Sequence, residues 1–300
     1  MSEIKLENLK KSFGKTEVIH DLSIDVKDGE LIVIVGPSGC GKSTLLRMVA
    51  GLEDANHGNI LIDGKKVNEL EPMERNIAMV FQNYALYPHM TVFGNMAYGL
   101  KIAKVSKEEI ESRVQKAAEI LELGELLERK PNQLSGGQRQ RVVLARALSL
   151  KPKVILADEP VSMLDVSIRA EMLELMHELQ KKYNISFIYI THDLATARYF
   201  GQRIGILYLG KIVEIGPIDQ VLLSPKHPYT QALIDAISEP NPDNLHKEKE
   251  IRINEPSDMD ILQGCRFRNR CPYVIDECKT EPDLERISDE HYSACHVKIN

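Results

Sequence analysis

One stretch constrains this 300-residue chain more than any other: Gly36-Pro37-Ser38-Gly39-Cys40-Gly41-Lys42-Ser43. It has the spacing of a phosphate-binding loop, follows the apolar run 31–35 and opens a helical stretch over 44–49, the strand–loop–helix context such a loop needs. Glycines let successive backbone N–H groups curl around phosphate oxygens, and the helix start adds the positive end of its dipole. Lys42 supplies a mobile charge and Ser43 a hydroxyl for Mg²⁺. A chance Gly-rich turn would rarely meet all four fixed positions in that setting.

The surrounding pattern suits such a loop. The runs 31–35, 77–81, 154–157 and 185–190 are apolar without alternation and are interleaved with helical stretches, which predicts a parallel sheet buried on both faces. Residues 3–8, 18–26 and 59–63 alternate around Phe13-Gly14, Asp28-Gly29 and Asp63-Gly64, predicting antiparallel strands solvated on one face. From 91 to 127 the pattern turns helical and charged, with Ser106 as an expected N-cap, so a helical insert of about 89–148 splits the α/β core. Past 236 the Glu239-Pro-Asn-Pro-Asp-Asn run reads as a linker, dividing the chain into 1–238 and a C-terminal extension, 239–300.

Composition excludes several roles. Lys and Arg total 38 against 44 Asp and Glu, a net charge of −6 that argues against a nucleic-acid partner or a polybasic role. No run reaches the length of a membrane span and the start lacks a signal-peptide core, so a cytosolic protein is expected.

Two further loops carry chemistry. Asp158 and Glu159 end the apolar run 154–157; Asp158 is the candidate carboxylate for a catalytic Mg²⁺, and Glu159 the candidate general base for an attacking water. The bland alternative is an acidic helix cap in Asp-Glu-Pro. In Leu134-Ser135-Gly136-Gly137-Gln138, two glycines behind a serine open a helical run and form a second N–H-rich start able to bind phosphate. One nucleotide does not need two such starts from one chain, so the economical inference is a composite site in which the second start belongs to another chain; an ordinary Ser N-cap is the alternative.

With these motifs in this order, the chain resembles the nucleotide-binding subunits of ATP-binding cassette (ABC) transporters over about residues 3–235. The resemblance implies a P-loop NTPase cassette: an α/β core with a parallel sheet, an antiparallel β subdomain and a helical insert. It also implies ATP and Mg²⁺ as ligands. Phe13 matches the aromatic that stacks on adenine, and Gly36 to Ser43 with Thr44 match the Walker A loop. Gln82 matches the Q-loop glutamine that touches Mg²⁺ and water, and Ser135, Gly136, Gly137 and Gln138 match the family's second phosphate loop. Asp158 and Glu159 match the Walker B pair and His192 the switch histidine facing the γ-phosphate. Asp165 matches the D-loop aspartate, although Ser162-Met-Leu-Asp stands where Ser-Ala-Leu-Asp is commoner. By this match Glu159, His192 and Gln82 are the catalytic residues, and Ser43, Gln82 and Asp158 hold Mg²⁺.

The resemblance is a mosaic. Phe81 to Met90 and Leu134 to Arg141 look like sugar and glycerol-phosphate importer ATPases, whereas Ala157 to Ser167, Tyr208 to Gly216 and His227 to Leu233 look like the oligopeptide/dipeptide group. Peptide import is the first reading, since only about 60 residues follow the linker; sugar or glycerol-phosphate import is the alternative. A soluble, non-transport ABC ATPase is the alternative of another class. As an importer subunit it implies transmembrane permease subunits, a second ABC ATPase subunit, an extracytoplasmic substrate-binding protein acting indirectly, and a place on the cytoplasmic face of the membrane.

Cys265, Cys271, Cys278 and Cys295 are spaced C-x5-C-x6-C-x16-C, unlike the C-x2-C pair usual for structural zinc. Thiolates in this number suit zinc or an iron–sulfur cluster, and four buried small side chains are the bland alternative. The resemblance adds a [4Fe–4S] cluster, which some peptide-importer ATPases carry on four such cysteines.

Overall fold

The computed structural model describes residues 3–236 and 263–299, so the linker run from Glu239 and the division near 240 lie outside the described residues. Leu31–Val35 forms β3, Ile77–Val80 β6, Val154–Asp158 β7 and Ser186–Thr191 β8. They run parallel in the order β3-β8-β7-β6, and β9 (Arg203–Tyr208) lies parallel on the other side of β3.

Why the apolar runs lack alternation is visible in β3. Leu31, Val33 and Val35 enter a core shared with the helical insert, whereas Ile32 and Ile34 enter a second core on the opposite face. Both faces are covered, so both must be apolar.

The second core is roofed by α1 (Lys42–Ala50) and by an antiparallel sheet of β1 (Ile4–Phe13), β2 (Thr16–Val26), β4 (His57–Ile62) and β5 (Lys65–Lys66), in the order β2-β1-β4-β5. These strands turn one face to solvent, hence their alternation. The insert comprises α2 (Val92–Ile102), α3 (Lys107–Ile120) and α4 (Gly136–Ser149). Ser106 caps α3 as expected, its Oγ accepting the Glu109 N–H at 3.3 Å. Then come α5 (Val166–Tyr183), α6 (Leu194–Phe200), β10 (Lys211–Pro217), α7 (Ile218–Leu223) and α8 (Pro228–Asp235).

The C-terminal segment joins this body. Strands β11 (Glu285–Ser288) and β12 (His291–Ser293) extend the main sheet beyond β10, giving the order β11-β12-β10-β9-β3-β8-β7-β6. At three and four residues they are too short to leave an alternation in the sequence. Phe267 lies in the same core as β3 and stacks against Tyr208 and Tyr229, its ring centroid 5.5 Å from each.

Register sets the functional edge. Val35 pairs with Thr191, Asp158 with Ile190 and Val80 with Ala157, so the residues just after β3, β8, β7 and β6 emerge side by side at the carboxyl end of the sheet. That is where open α/β sheets bind ligands.

Candidate functional site

The loop after β3 has the backbone its glycines permit. Gly39 and Gly41 adopt φ of 78° and 103°, conformations that side-chain-bearing residues rarely reach. A Cβ on Gly36 would stand 2.2 Å from the Leu207 carbonyl oxygen, so only glycine fits against β9. Lys42 is almost fully buried, and its Nζ donates to the Gly36 and Pro37 carbonyls at 2.9 Å each. Its charge is thereby held at the mouth of the loop. Pro37, Ser38 and Cys40 complete the turn, and Ser43 and Thr44 lie in the first turn of α1.

Ser43 Oγ donates to Asp158 Oδ1 at 3.2 Å, bringing α1 and the end of β7 together. Burial pushes the Asp158 carboxyl above its ordinary range and neighbouring Glu159 adds to this, while the Ser43 bond opposes it. A hydroxyl and a desolvated carboxylate in contact, with the Gln82 amide on the adjacent strand end, are hard oxygen donors of the kind a divalent Mg²⁺ takes.

Glu159 is the hub. Its carboxylate accepts a hydrogen bond from Gln82 Nε2 at 3.2 Å, and His192 Nδ1 lies 3.1 Å from its other oxygen. Three sequence-distant residues therefore meet at one carboxylate. The Glu159 backbone is in the left-handed region (φ 45°), which costs on the order of 1–3 kcal/mol for a non-glycine residue. Its N–H donates to Ile190 O (3.0 Å), and its carbonyl accepts from Ser162 Oγ (2.9 Å). The strain aims the side chain across the strand ends at Gln82 and His192.

Sequence reasoning missed two contributors. Ser162 Oγ also accepts from Gln82 Nε2 at 3.3 Å; a hydroxyl three residues past Glu159 could have signalled a side-chain turn. Arg169 donates to the Leu164 carbonyl at 3.3 Å and approaches Asp193 at 3.4 Å, linking the loop before Asp165 to the residue after His192. Asp193 in turn caps α6, accepting the Ala195 N–H at 2.9 Å.

The Ser135 loop lies elsewhere. Ser135 Oγ accepts the Gln138 N–H at 3.2 Å and Gln138 Oε1 accepts the Ser135 N–H at 2.9 Å, so within this chain Ser135 does cap α4. A Cβ on Gly137 would meet Ile168 at 3.0 Å and one on Gly136 would meet Leu164 at 3.5 Å. The loop thus packs beside α5, and among the described residues no hydrogen bond or ion pair joins it to Lys42 or Glu159. Asp165 stands at the N-terminus of α5 without capping it. Phe13 is half exposed at the end of β1, with Lys11 Nζ 4.9 Å from its ring centroid.

The four cysteines share one region of the C-terminal segment. Cys265, Cys271 and Cys278 are buried in the main core and Cys295 is half-buried, and burial raises the thiols of Cys265, Cys271 and Cys295, the last to about 11. Among the described residues no group of three or more His, Cys, Asp or Glu is arranged to hold a metal ion. The donors are nonetheless of the kind that zinc or an iron–sulfur cluster takes: Cys271 Sγ accepts the Tyr273 N–H at 3.4 Å, and Cys265, Cys271 and Cys278 lie near enough to Cys295 to push its thiol further up.

A glycine-turned strand–loop–helix at residues 36–43, an acidic strand end with its glutamine and histidine, and a Ser-Gly-Gly helix start on a helical insert are the parts of an ATPase cassette. The chain belongs to the ABC transporter family: the model of that description matches residues 19–162, and one described as "Oligopeptide/dipeptide transporter, C-terminal region" matches 213–278. The sn-glycerol-3-phosphate import ATP-binding protein UgpC of Bordetella avium is 54% identical over 235 residues, 78% of this chain and 65% of the relative. The uncharacterized ABC transporter ATP-binding protein YurJ of Bacillus subtilis is 51% identical over 234 residues, 78% of this chain and 64% of its own. The chain thus spans somewhat less than two thirds of these relatives. Among solved structures, a dimeric ATP-binding cassette in a post-hydrolysis state with ADP and Pi is 35% identical with a TM-score of 0.64, covering 72% of this chain and 98% of that one. The cassette cbiO1 of Clostridium perfringens, part of an ABC transporter complex, is 28% identical with a TM-score of 0.68, covering 74% and 90%.

Proposed function

We propose that the chain hydrolyses ATP to power an importer of glycerol phosphate or a sugar. The observation that carries hydrolysis is the meeting of Gln82 and His192 at the Glu159 carboxylate. The likeness to the glycerol-phosphate import proteins supports the cargo and displaces peptide import as the first reading.

In this reading the loop N–H groups and Lys42 bind the β- and γ-phosphates, and Phe13 offers its exposed ring to the adenine. Ser43, Asp158 and Gln82 would hold Mg²⁺, which neutralises phosphate charge when bound. Glu159 orients the attacking water and takes its proton, and His192 donates toward the γ-phosphate, keeping Glu159 in place through its other ring nitrogen. Among the described residues no hydrogen bond or ion pair joins the Ser135 loop to its own chain's Lys42, and in this reading it serves the ATP of a second ABC ATPase subunit, together with Asp165. Among the described residues no helix is long and apolar enough to cross a membrane, so transmembrane permease subunits would supply the path. The chain would sit on the cytoplasmic face, with an extracytoplasmic substrate-binding protein acting through the permease.

Peptide import is kept as a second reading because residues 213–278 match the oligopeptide/dipeptide C-terminal region. Reconstitution in liposomes with the permease and binding protein that copurify with it separates the two: ATP turnover stimulated by glycerol phosphate or a sugar supports the first, and stimulation by dipeptides alone overturns it. Absence of any membrane partner on copurification would favour a soluble ATPase.

A further inference from the structure

The phosphate loop leans on a turn that the C-terminal segment holds. Leu209 and Gly210, both at positive φ (43° and 78°), form the two-residue turn between β9 and β10. Gly210 donates its N–H to Cys40 O at 2.9 Å, inside the phosphate loop, while Leu207 O stands against Gly36 at the loop's entry. The end of β9 and the turn after it therefore lie against the loop at Gly36 and at Cys40.

The peptide that carries the Gly210 N–H also carries the Leu209 carbonyl, and Arg266 Nη1 donates to that carbonyl at 3.2 Å. One rigid, planar peptide is thus held from one side by Arg266 and grips Cys40 with the other. A donor on the carbonyl also polarises the N–H and strengthens the bond it makes. Leu209 has no intrinsic preference for its left-handed backbone, so the peptide's orientation depends on such contacts.

Arg266 is itself aimed. Its Nε lies 3.4 Å from Glu281 Oε1, which also pairs with Lys211 at 2.9 Å on the first residue of β10. Its neighbour Phe267 is locked between Tyr208, Tyr229 and His227, and Cys265 N–H donates to Cys278 O at 3.0 Å.

We infer that Arg266 is a positioning residue for ATP binding, acting through the Leu209–Gly210 peptide on the phosphate loop, and that the C-terminal segment thereby forms part of the ATP site's support. The inference rests on the loop being the ATP site. Glu159, Gln82 and His192 stand on other strand ends, so Arg266 governs nucleotide affinity rather than the hydrolytic step.

The test uses the full chain carrying Arg266→Ala, Arg266→Lys or Glu281→Gln, with MANT-ATP binding and steady-state hydrolysis as readouts. Arg266→Ala is expected to raise Kd and KM about three- to tenfold, the scale of one charge-assisted hydrogen bond, with kcat within about twofold of the original. Arg266→Lys should recover part of the affinity, since an ammonium can still donate to the carbonyl. A folded Arg266→Ala protein with unchanged Kd and KM overturns the inference, as does a fall confined to kcat. If Arg266→Ala does not fold, Arg266→Lys and Glu281→Gln decide: a raised KM supports the inference, and a lowered melting temperature with KM unchanged reduces Arg266 to an anchor. Wild-type MANT-ATP affinity in Lys42→Ala would instead show that the ATP-site reading itself had failed.

Discussion

Glu214, with none of its surface exposed, accepts a hydrogen bond from His291 Nε2 at 2.8 Å, so a carboxylate of β10 fastens the C-terminal strand β12 to the cassette. The Lys226 and His227 N–H groups donate to the same carboxylate at 2.7 and 3.0 Å. A buried carboxylate is tolerable only with such donors, and His291 is the one that the C-terminal segment brings.

Removing it should therefore be costly. His291→Ala is expected to lower stability by about 2 kcal/mol, the scale of a hydrogen bond to a charged group, with His291→Gln losing less because its amide still donates. Urea-denaturation midpoints check this; equal midpoints for all three proteins would contradict it.

Glu159→Gln should bind ATP but hydrolyse it more slowly by a factor of about 10² or more, the contribution of a positioned general base. Near-normal phosphate release would remove Glu159 from that role.

Ser135→Arg should abolish hydrolysis while leaving ATP binding by the monomer nearly unchanged, because the Ser135 loop packs against Leu164 and Ile168 rather than its own phosphate loop. Isothermal titration of the monomer decides; loss of binding there would place the loop in its own chain's site.

His227 predicts an acid instability. Burial depresses its pKa from 6.5 to about 3, and its Nδ1 accepts the Tyr229 N–H at 3.0 Å, which requires that nitrogen to be unprotonated. Between pH 6.5 and about 3 the unfolded chain binds a proton that the folded chain refuses, so stability falls as pH falls through this window. His227→Asn keeps a cap without the titration. From pH 7 to pH 5 the original should lose about 2 kcal/mol more than the variant, and parallel losses would refute the assignment.

Cys295 should alkylate slowly in the folded chain. Its thiol is pushed up to about 11, chiefly by burial, so at pH 8 iodoacetamide should react about a hundredfold more slowly than with an unperturbed cysteine. Mass spectrometry of timed quenches measures the rate; a fast reaction would mean that the thiol is open to solvent.

Features set by near neighbours in the chain were legible in the sequence. Glycine spacing announced the left-handed turns of the 36–43 loop, because they are a local backbone requirement. Continuous apolar runs announced β3, β7 and β8, because strands covered on both faces admit no alternation. Ser106 announced the start of α3, because a cap bonds only three residues ahead.

Features that depend on register and docking waited for the tertiary structure. Only the β6-β7-β8 pairing brings Gln82 and His192 to Glu159, and the left-handed backbone at Glu159 leaves no mark in residue type. Four cysteines suggested a metal by count, but that Cys265, Cys271 and Cys278 come near enough to act on the Cys295 thiol is a property of space and not of spacing. The grip of Arg266 on Leu209 and the fastening of β12 by Glu214 join residues 57 and 77 positions apart. A sequence supplies the chemistry of such partners, but their meeting is decided by how the sheet edge and the core are completed.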